Sequence, residues 1–186
     1  SASQTSLDRK VLECRQDGFT PSIYWFEANT SEKKLLEIID FLNNDEEVDG
    51  FIVQLPLPAH INVQKVIRSI NPLKDVDGFH PVSLGRMMLG EPTYLPATPY
   101  GIIQLLERYK IETSGKHCVV LGRSNIVGTP ISVMLSRKAN PGNCTVTICH
   151  TGTKNLKEIA RSADILIAAM GQPHFVTADM VKEGAV

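Results

Sequence analysis

From residue 117 onward the chain alternates short apolar, β-branched runs with helix-forming stretches, and this alternation limits the possible folds more than any other feature. A strand is expected at 117–121 and leads to a helix over 127–138. A second strand at 144–149 leads to a helix over 154–161, and a third at 164–168 to a short helix near 177–182. Strands alternating with helices pair in parallel, with the helices as crossovers. The fold class is therefore α/β with a parallel sheet. The closing residues EGAV read as the opening of a further strand, so the chain is expected to be part of a longer protein.

The first half is less regular. A helix is expected over 3–16, and the β-branched and aromatic run SIYWFEA (22–28) reads as a strand. The clearest helix lies in 29–44: a Thr/Ser cap and an early Glu precede Leu35, Leu36, Ile39 and Leu42 on one face. GFIVQLPLP (50–58) reads as a short buried strand, stopped by prolines that cannot donate to a ladder. A helix over 61–70 follows, then a turn-rich stretch and a loop to about residue 95. Pro99 suits the first turn of a helix over 99–110, the expected connector between two α/β units, 1–96 and 97–186.

Bulk properties exclude some functions. Nineteen Lys and Arg against twenty Asp and Glu leave a net charge of −1, so no basic field exists to gather nucleic acid or an anionic membrane. Apolar runs such as ILIAAM (165–170) are too short to span a bilayer. The polar start SASQTSLDRK is no signal peptide, and a cytoplasmic setting is expected. Cys14, Cys118, Cys144 and Cys149 form no CxxC pair, so buried reduced thiols are expected in preference to a disulfide framework or a zinc site.

The stretch VVLGRSNIVGTPIS (119–132) joins the first of the parallel strands to its helix. Backbone N–H groups and a positive dipole end face a ligand at such a turn, and phosphate binds well there. Gly122 lets the chain turn, Gly128 lets the helix pack closely, and Pro130 restricts the first helical turn. The spacing is G-x5-G and not G-x-G-x-x-G, which leaves open a tight turn that holds no ligand. Arg123 and Ser124 favour the ligand, since a guanidinium can fork onto a phosphate. The next strand ends in His150-Thr151, where a carboxylate would favour NAD by accepting from the ribose 2′-hydroxyl. Its absence points to a 2′-phosphate, hence NADP. For His150 alone, a partly buried structural imidazole remains the alternative. Asp75 and Asp77 lie close in sequence, but two carboxylates with no histidine nearby do not make a metal site, and no metal is expected.

Five segments, DGFIVQLPLP (49–58), KDVDGFHP (74–81), ATPYGI (97–102), GRSNIVGTP (122–130) and AAMGQP (168–173), together resemble the bifunctional methylenetetrahydrofolate dehydrogenase/cyclohydrolase (FolD) family. The match runs in order from Ala2 to Val186 and looks most like the Bacteroidetes form. The resemblance implies a folate-facing N-terminal domain and a Rossmann-like NADP domain with a cleft between them, usually in a homodimer joined through the NADP domains. It implies oxidation of 5,10-methylenetetrahydrofolate with NADP+ and hydrolysis of the product to 10-formyltetrahydrofolate. It places the catalytic lysine of Y-x-x-x-K on Lys10, with Gln54 and Asp77 as its catalytic companions. Ser6 stands where the family has the tyrosine, and folate contacts fall on Ser6, Gln54, Asp77 and Pro99. Cofactor contacts fall on Gly122, Arg123, Ser124, Ile126, Gly128, His150, Thr151 and Gly171. A desolvated lysine can relay protons, Gln54 can orient its amine in either protonation state, and Asp77 can accept from a pterin's amino-pyrimidine edge. The loss of a ring at Ser6 motivates a second reading, a relative or fragment that only binds folate or dinucleotide. A third, some other NAD(P) oxidoreductase, predicts that Lys10, Gln54 and Asp77 do not converge.

Overall fold

The structure, a computed structural model, describes the backbone of residues 2–186 and the side chains from Leu7 onward. Two compact units meet in the sequence between Val76 and Asp77.

The first unit carries helices α1 (Ala2–Gln16), α2 (Glu32–Asn44) and α3 (Val63–Ser69). Ser31 caps α2 by accepting from the Lys34 N–H, and Asn62 caps α3 by accepting from the Lys65 N–H. Leu35, Ile39, Ile61, Val66 and Ile70 form the core between α2 and α3, with Phe51, Val53 and Leu57 packed against it. Polar clamps join the two helices at both ends. At their starts, Glu32 accepts from Lys65 Nζ at 2.6 Å and from the Asn62 N–H at 2.8 Å. These partners hold its carboxyl below the usual range. At their ends, Asn43 donates to the Ser69 carbonyl at 2.7 Å and accepts from the Asn71 N–H at 2.8 Å. Lys74 Nζ donates to the carbonyls of Leu42 and Asp45, groups that the end of α2 leaves without helical partners.

Neither strand expected in this half forms. Residues 22–28 run irregularly, with Ile23 40% and Trp25 64% exposed. Aromatic and β-branched residues favour a strand only where a neighbour completes the ladder, and among the described residues this segment has none. Residues 50–58 contribute a single parallel bridge, Phe51 to Asp75, before the prolines end pairing.

The second unit begins with α4 (Pro81–Leu89), a helix where a loop was expected. His80 caps it by accepting from the Val82 N–H at 3.1 Å, Pro81 occupies the first turn, and Gly90 ends it in a left-handed conformation. Residues 77–96 pack with this unit, not with the first: Arg137 donates to the Met87 carbonyl at 3.0 Å. Then come α5 (Ala97–Arg108), β1 (His117–Leu121), α6 (Gly128–Ser136), β2 (Thr145–Cys149), α7 (Leu156–Arg161) and β3 (Ile165–Ala168). The last expected helix shrinks to a 3-10 turn at Ala178–Met180.

Among the described residues the three strands form one parallel sheet in the order β2-β1-β3. Side chains alternate across the central strand β1. Cys118 and Val120 face Leu106, Ile131 and Leu135 of α5 and α6, whereas Val119 and Leu121 face Ala160 of α7 and Met180. The four residues Cys118–Leu121 are at most 1% exposed. Val186 lies along β3 as the EGAV reading expects: its N–H donates to the Asp164 carbonyl, and its own carbonyl accepts from Leu166. Asp164 accepts from the His117 N–H at 2.8 Å and from Lys182 Nζ at 2.5 Å. All four cysteines are free thiols; burial pushes Cys118 up to about 12 and raises Cys144 and Cys149.

Replacing Asn43 by Ala removes both clamp bonds at the ends of α2 and α3. The expected loss, measured by urea unfolding, is about 1–3 kcal/mol, because a half-buried N–H and carbonyl are left without partners.

Candidate functional site

In the first unit, Lys10 projects from α1 and Gln54 follows the Phe51 bridge. They are 44 positions apart, yet Lys10 Nζ donates to Gln54 Oε1 at 3.2 Å. The other end of the amide is held as well: Gln54 Nε2 donates to the Leu55 carbonyl at 2.9 Å. The carbonyl end of the amide is therefore turned to the lysine, and a lysine with three donors keeps capacity for a further partner. Lys10 is exposed and Gln54 half-buried. Ser6 lies on the same helix, but its side chain falls outside the described residues. Asp77, half-buried, opens the second unit.

The second site is the carboxyl edge of the parallel sheet, where three loops are stitched together. The Gly122 N–H donates to the Cys149 carbonyl, linking the ends of β1 and β2, and the Ala169 N–H donates to the Leu121 carbonyl, linking β3 to β1. Gly122 has φ +116°, and a Cβ there would lie 2.4 Å from the Ala169 oxygen. A Cβ on Gly128 would lie 2.2 Å from the Gly122 oxygen and 2.9 Å from the Arg123 nitrogen. Only glycine fits either place.

Inside the turn, Ser124 Oγ accepts from the N–H groups of Val127 and Gly128, at 3.1 and 3.3 Å. Its oxygen shapes the loop, while its hydroxyl proton remains able to donate. Thr129, which sequence reasoning did not single out, fastens the other side: its hydroxyl donates to the Arg123 carbonyl and its N–H to the Ser124 carbonyl. Arg123 is exposed and makes no ion pair among the described residues, so the surface-pair alternative finds no partner. Ile126 and Thr151 are exposed, His150 is half-buried, and Gly171 is exposed just after β3. The edge carries no carboxylate from 149 to 153. These residues fit a dinucleotide with a phosphate on its ribose: a tight glycine turn, a guanidinium without an ion pair and no carboxylate from 149 to 153.

Pro99 does not fit its expected role. Its ring is almost fully buried in the first turn of α5, so it packs the helix and has no surface to offer a folate. Among the described residues, no three His, Cys, Asp or Glu side chains gather in a way that could hold a metal ion. Among the described residues no helix is long and apolar enough to cross a membrane.

A glycine turn that opens a helix at the carboxyl edge of a parallel sheet defines a dinucleotide-binding domain of the doubly wound α/β class. Comparison with known proteins carries the identification further: residues 1–77 match the family described as tetrahydrofolate dehydrogenase/cyclohydrolase, catalytic domain, and residues 96–186 match its NAD(P)-binding domain. The chain belongs to this tetrahydrofolate dehydrogenase/cyclohydrolase (FolD) family. It is 60% identical over 185 residues to the bifunctional protein FolD of Cytophaga hutchinsonii, covering 100% of this chain and 64% of that protein. Against the Porphyromonas gingivalis protein of the same name it is 57% identical over 184 residues, 99% of this chain and 62% of the other. The crystal structure of the bifunctional enzyme FolD from Campylobacter jejuni superposes with a TM-score of 0.93 at 43% identity, over 100% of this chain and 64% of that one. The Trypanosoma brucei FolD, crystallised with NADP cofactor and inhibitor, gives 0.92 at 33% identity, over 100% and 62%. The chain thus spans less than two thirds of the length of these relatives.

Gly128→Ala is expected to cost about 1–3 kcal/mol in a denaturant titration, because the added methyl drives α6 off the turn. Gly85→Ala is the control: its Cβ meets nothing within 4 Å, and the same titration should show stability unchanged or higher.

Proposed function

We propose that this chain supplies folate and NADP sites of an enzyme that oxidises 5,10-methylenetetrahydrofolate to 5,10-methenyltetrahydrofolate and hydrolyses that product to 10-formyltetrahydrofolate. The observation that carries the reading is the hydrogen bond from Lys10 to Gln54, which joins two residues singled out by separate motifs. Asp77, in the KDVDG motif at the start of the second unit, is a carboxylate of the kind that accepts from a pterin's amino-pyrimidine edge. NADP+, when bound, supplies the hydride acceptor for the oxidation. Arg123 forks onto the 2′-phosphate, and the Ser124 hydroxyl, whose proton is left over after its oxygen accepts from Val127 and Gly128, donates to the diphosphate.

In the hydrolytic step a water adds to the one-carbon centre and the bond to N5 opens. Lys10 Nζ, in its neutral form, takes one proton of the water and returns it to the departing nitrogen, and the remaining hydroxyl proton leaves to solvent as the formyl C=O forms. Gln54 serves this relay by turning its Oε1 to the amine while Leu55 holds its Nε2. An amide can accept from the charged amine or, after rotation, donate to the neutral one, so it supports both halves of the cycle.

The reading extends to a homodimer joined through the NADP domains and to a cytoplasmic setting, without nucleic acid or membrane as partners. The net charge of −1 supports the last point. The alternative motivated by Ser6, a chain that only binds, differs in one measurement: nucleotide and folate bind, but no NADPH appears when methylenetetrahydrofolate is supplied.

Lys10→Met should lower the cyclohydrolase rate by about 100-fold or more while dehydrogenation falls by less than about tenfold, since a relay group contributes chiefly where protons move. Equal loss of both would remove the relay role. Arg123→Ala should weaken NADP by about tenfold or more and NAD by no more than about twofold, as read by calorimetry. Equal weakening would show that Arg123 does not meet the 2′-phosphate.

A further inference from the structure

Beyond β2 the chain makes a tight turn over residues 150–153, and three hydrogen bonds define it. The His150 N–H donates to Thr153 Oγ1 at 2.8 Å, and the Thr153 N–H returns to the His150 carbonyl at 2.9 Å. The third bond reaches the imidazole: the Gly152 N–H donates to His150 Nδ1 at 3.1 Å. A ring nitrogen that accepts an N–H carries no proton, so the neutral ring bears its proton on Nε2. That Nε2–H has no hydrogen-bond partner among the described residues. The closeness of the ring depends on residue 152 having no side chain, because a Cβ there would lie 3.3 Å from His150 Cε1 and 3.4 Å from Nδ1.

We infer that Thr153 is a positioning residue for nucleotide recognition: it locks the 150–153 turn so that His150 meets the 2′-phosphate as a neutral Nε2–H donor, beside the positively charged Arg123. The inference rests on the NADP reading above. It assigns a role to Thr153 and a definite tautomer to His150.

Nitrogen NMR on the ligand-free chain reads the His150 tautomer, and calorimetry reads NADP and NAD affinities. In the wild type Nδ1 is expected to be unprotonated. Thr153→Val keeps the shape but removes the hydroxyl acceptor; it should mix the tautomers and weaken NADP by about five- to tenfold, with NAD changed by less than about twofold. Thr153→Ser should restore both readouts. His150→Gln can bring an amide N–H to the place of Nε2 and should retain more NADP affinity than His150→Asn, whose shorter amide replaces only Nδ1. A wild-type proton on Nδ1 would overturn the inference. So would a Thr153→Val chain with unchanged tautomer and NADP affinity, and that result would leave the NADP reading standing. A wild-type chain that binds no NADP would remove that reading, and the inference with it.

Discussion

The second unit depends on how closely Gly128 approaches the carbonyl of Gly122. A methyl group at residue 128 would lie 2.2 Å from that oxygen, so the contact exists only because residue 128 has no side chain. With it, α6 begins almost at the end of β1, and its first N–H groups stand at the edge of the sheet. Ser124 and Thr129 fix the intervening loop from its two sides. Arg123 is carried outward without an internal ion pair, so its charge remains for a ligand. The loop is fixed by backbone and hydroxyl bonds, which leaves its guanidinium uninvolved in holding the structure.

The first unit follows different physics. Its apolar core between α2 and α3 is small, and polar side chains reinforce it at both ends: Glu32 with Lys65 at the starts, Asn43 and Lys74 at the finishes. These bonds satisfy carbonyls and N–H groups that short helices leave open. Gln54 belongs to the irregular segment that runs past this core, and Leu55 holds its amide. The side chain that faces Lys10 is thus oriented by a backbone carbonyl one residue away.

The second unit was the more legible in sequence. The alternation of strands and helices from residue 117 to 168 located all three strands: the central β1 is buried and apolar on both faces, while the edge strand β2 was marked by its β-branched run Thr145–Ile148. The tight turn after β1 was legible too, since glycine at 122 and 128 has a steric cause. The first unit was harder. SIYWFEA has the composition of a strand, but composition does not supply the partner that a ladder needs. Helix α4 was missed because its cap is a histidine and its interior holds Gly85, although Pro81 and Gly90 marked its limits. Pro99 was assigned to a ligand by motif, whereas burial gives its ring to packing. The turn at 150–153 left only a faint trace, a histidine followed three places later by a threonine. Which ring nitrogen accepts the Gly152 N–H depends on geometry that no spacing encodes.

The burial of three thiols has a practical consequence for spectroscopy. Cys118, Cys144 and Cys149 are sealed in the sheet and its loops, and burial disfavours their reactive thiolate forms. Cys14 is only half-buried and lies one helical turn beyond Lys10 on α1. A maleimide dye or spin label added to the unaltered chain would therefore attach first at Cys14. It would sit on the same side of α1 as the lysine, giving a reporter for that helix without engineered mutations.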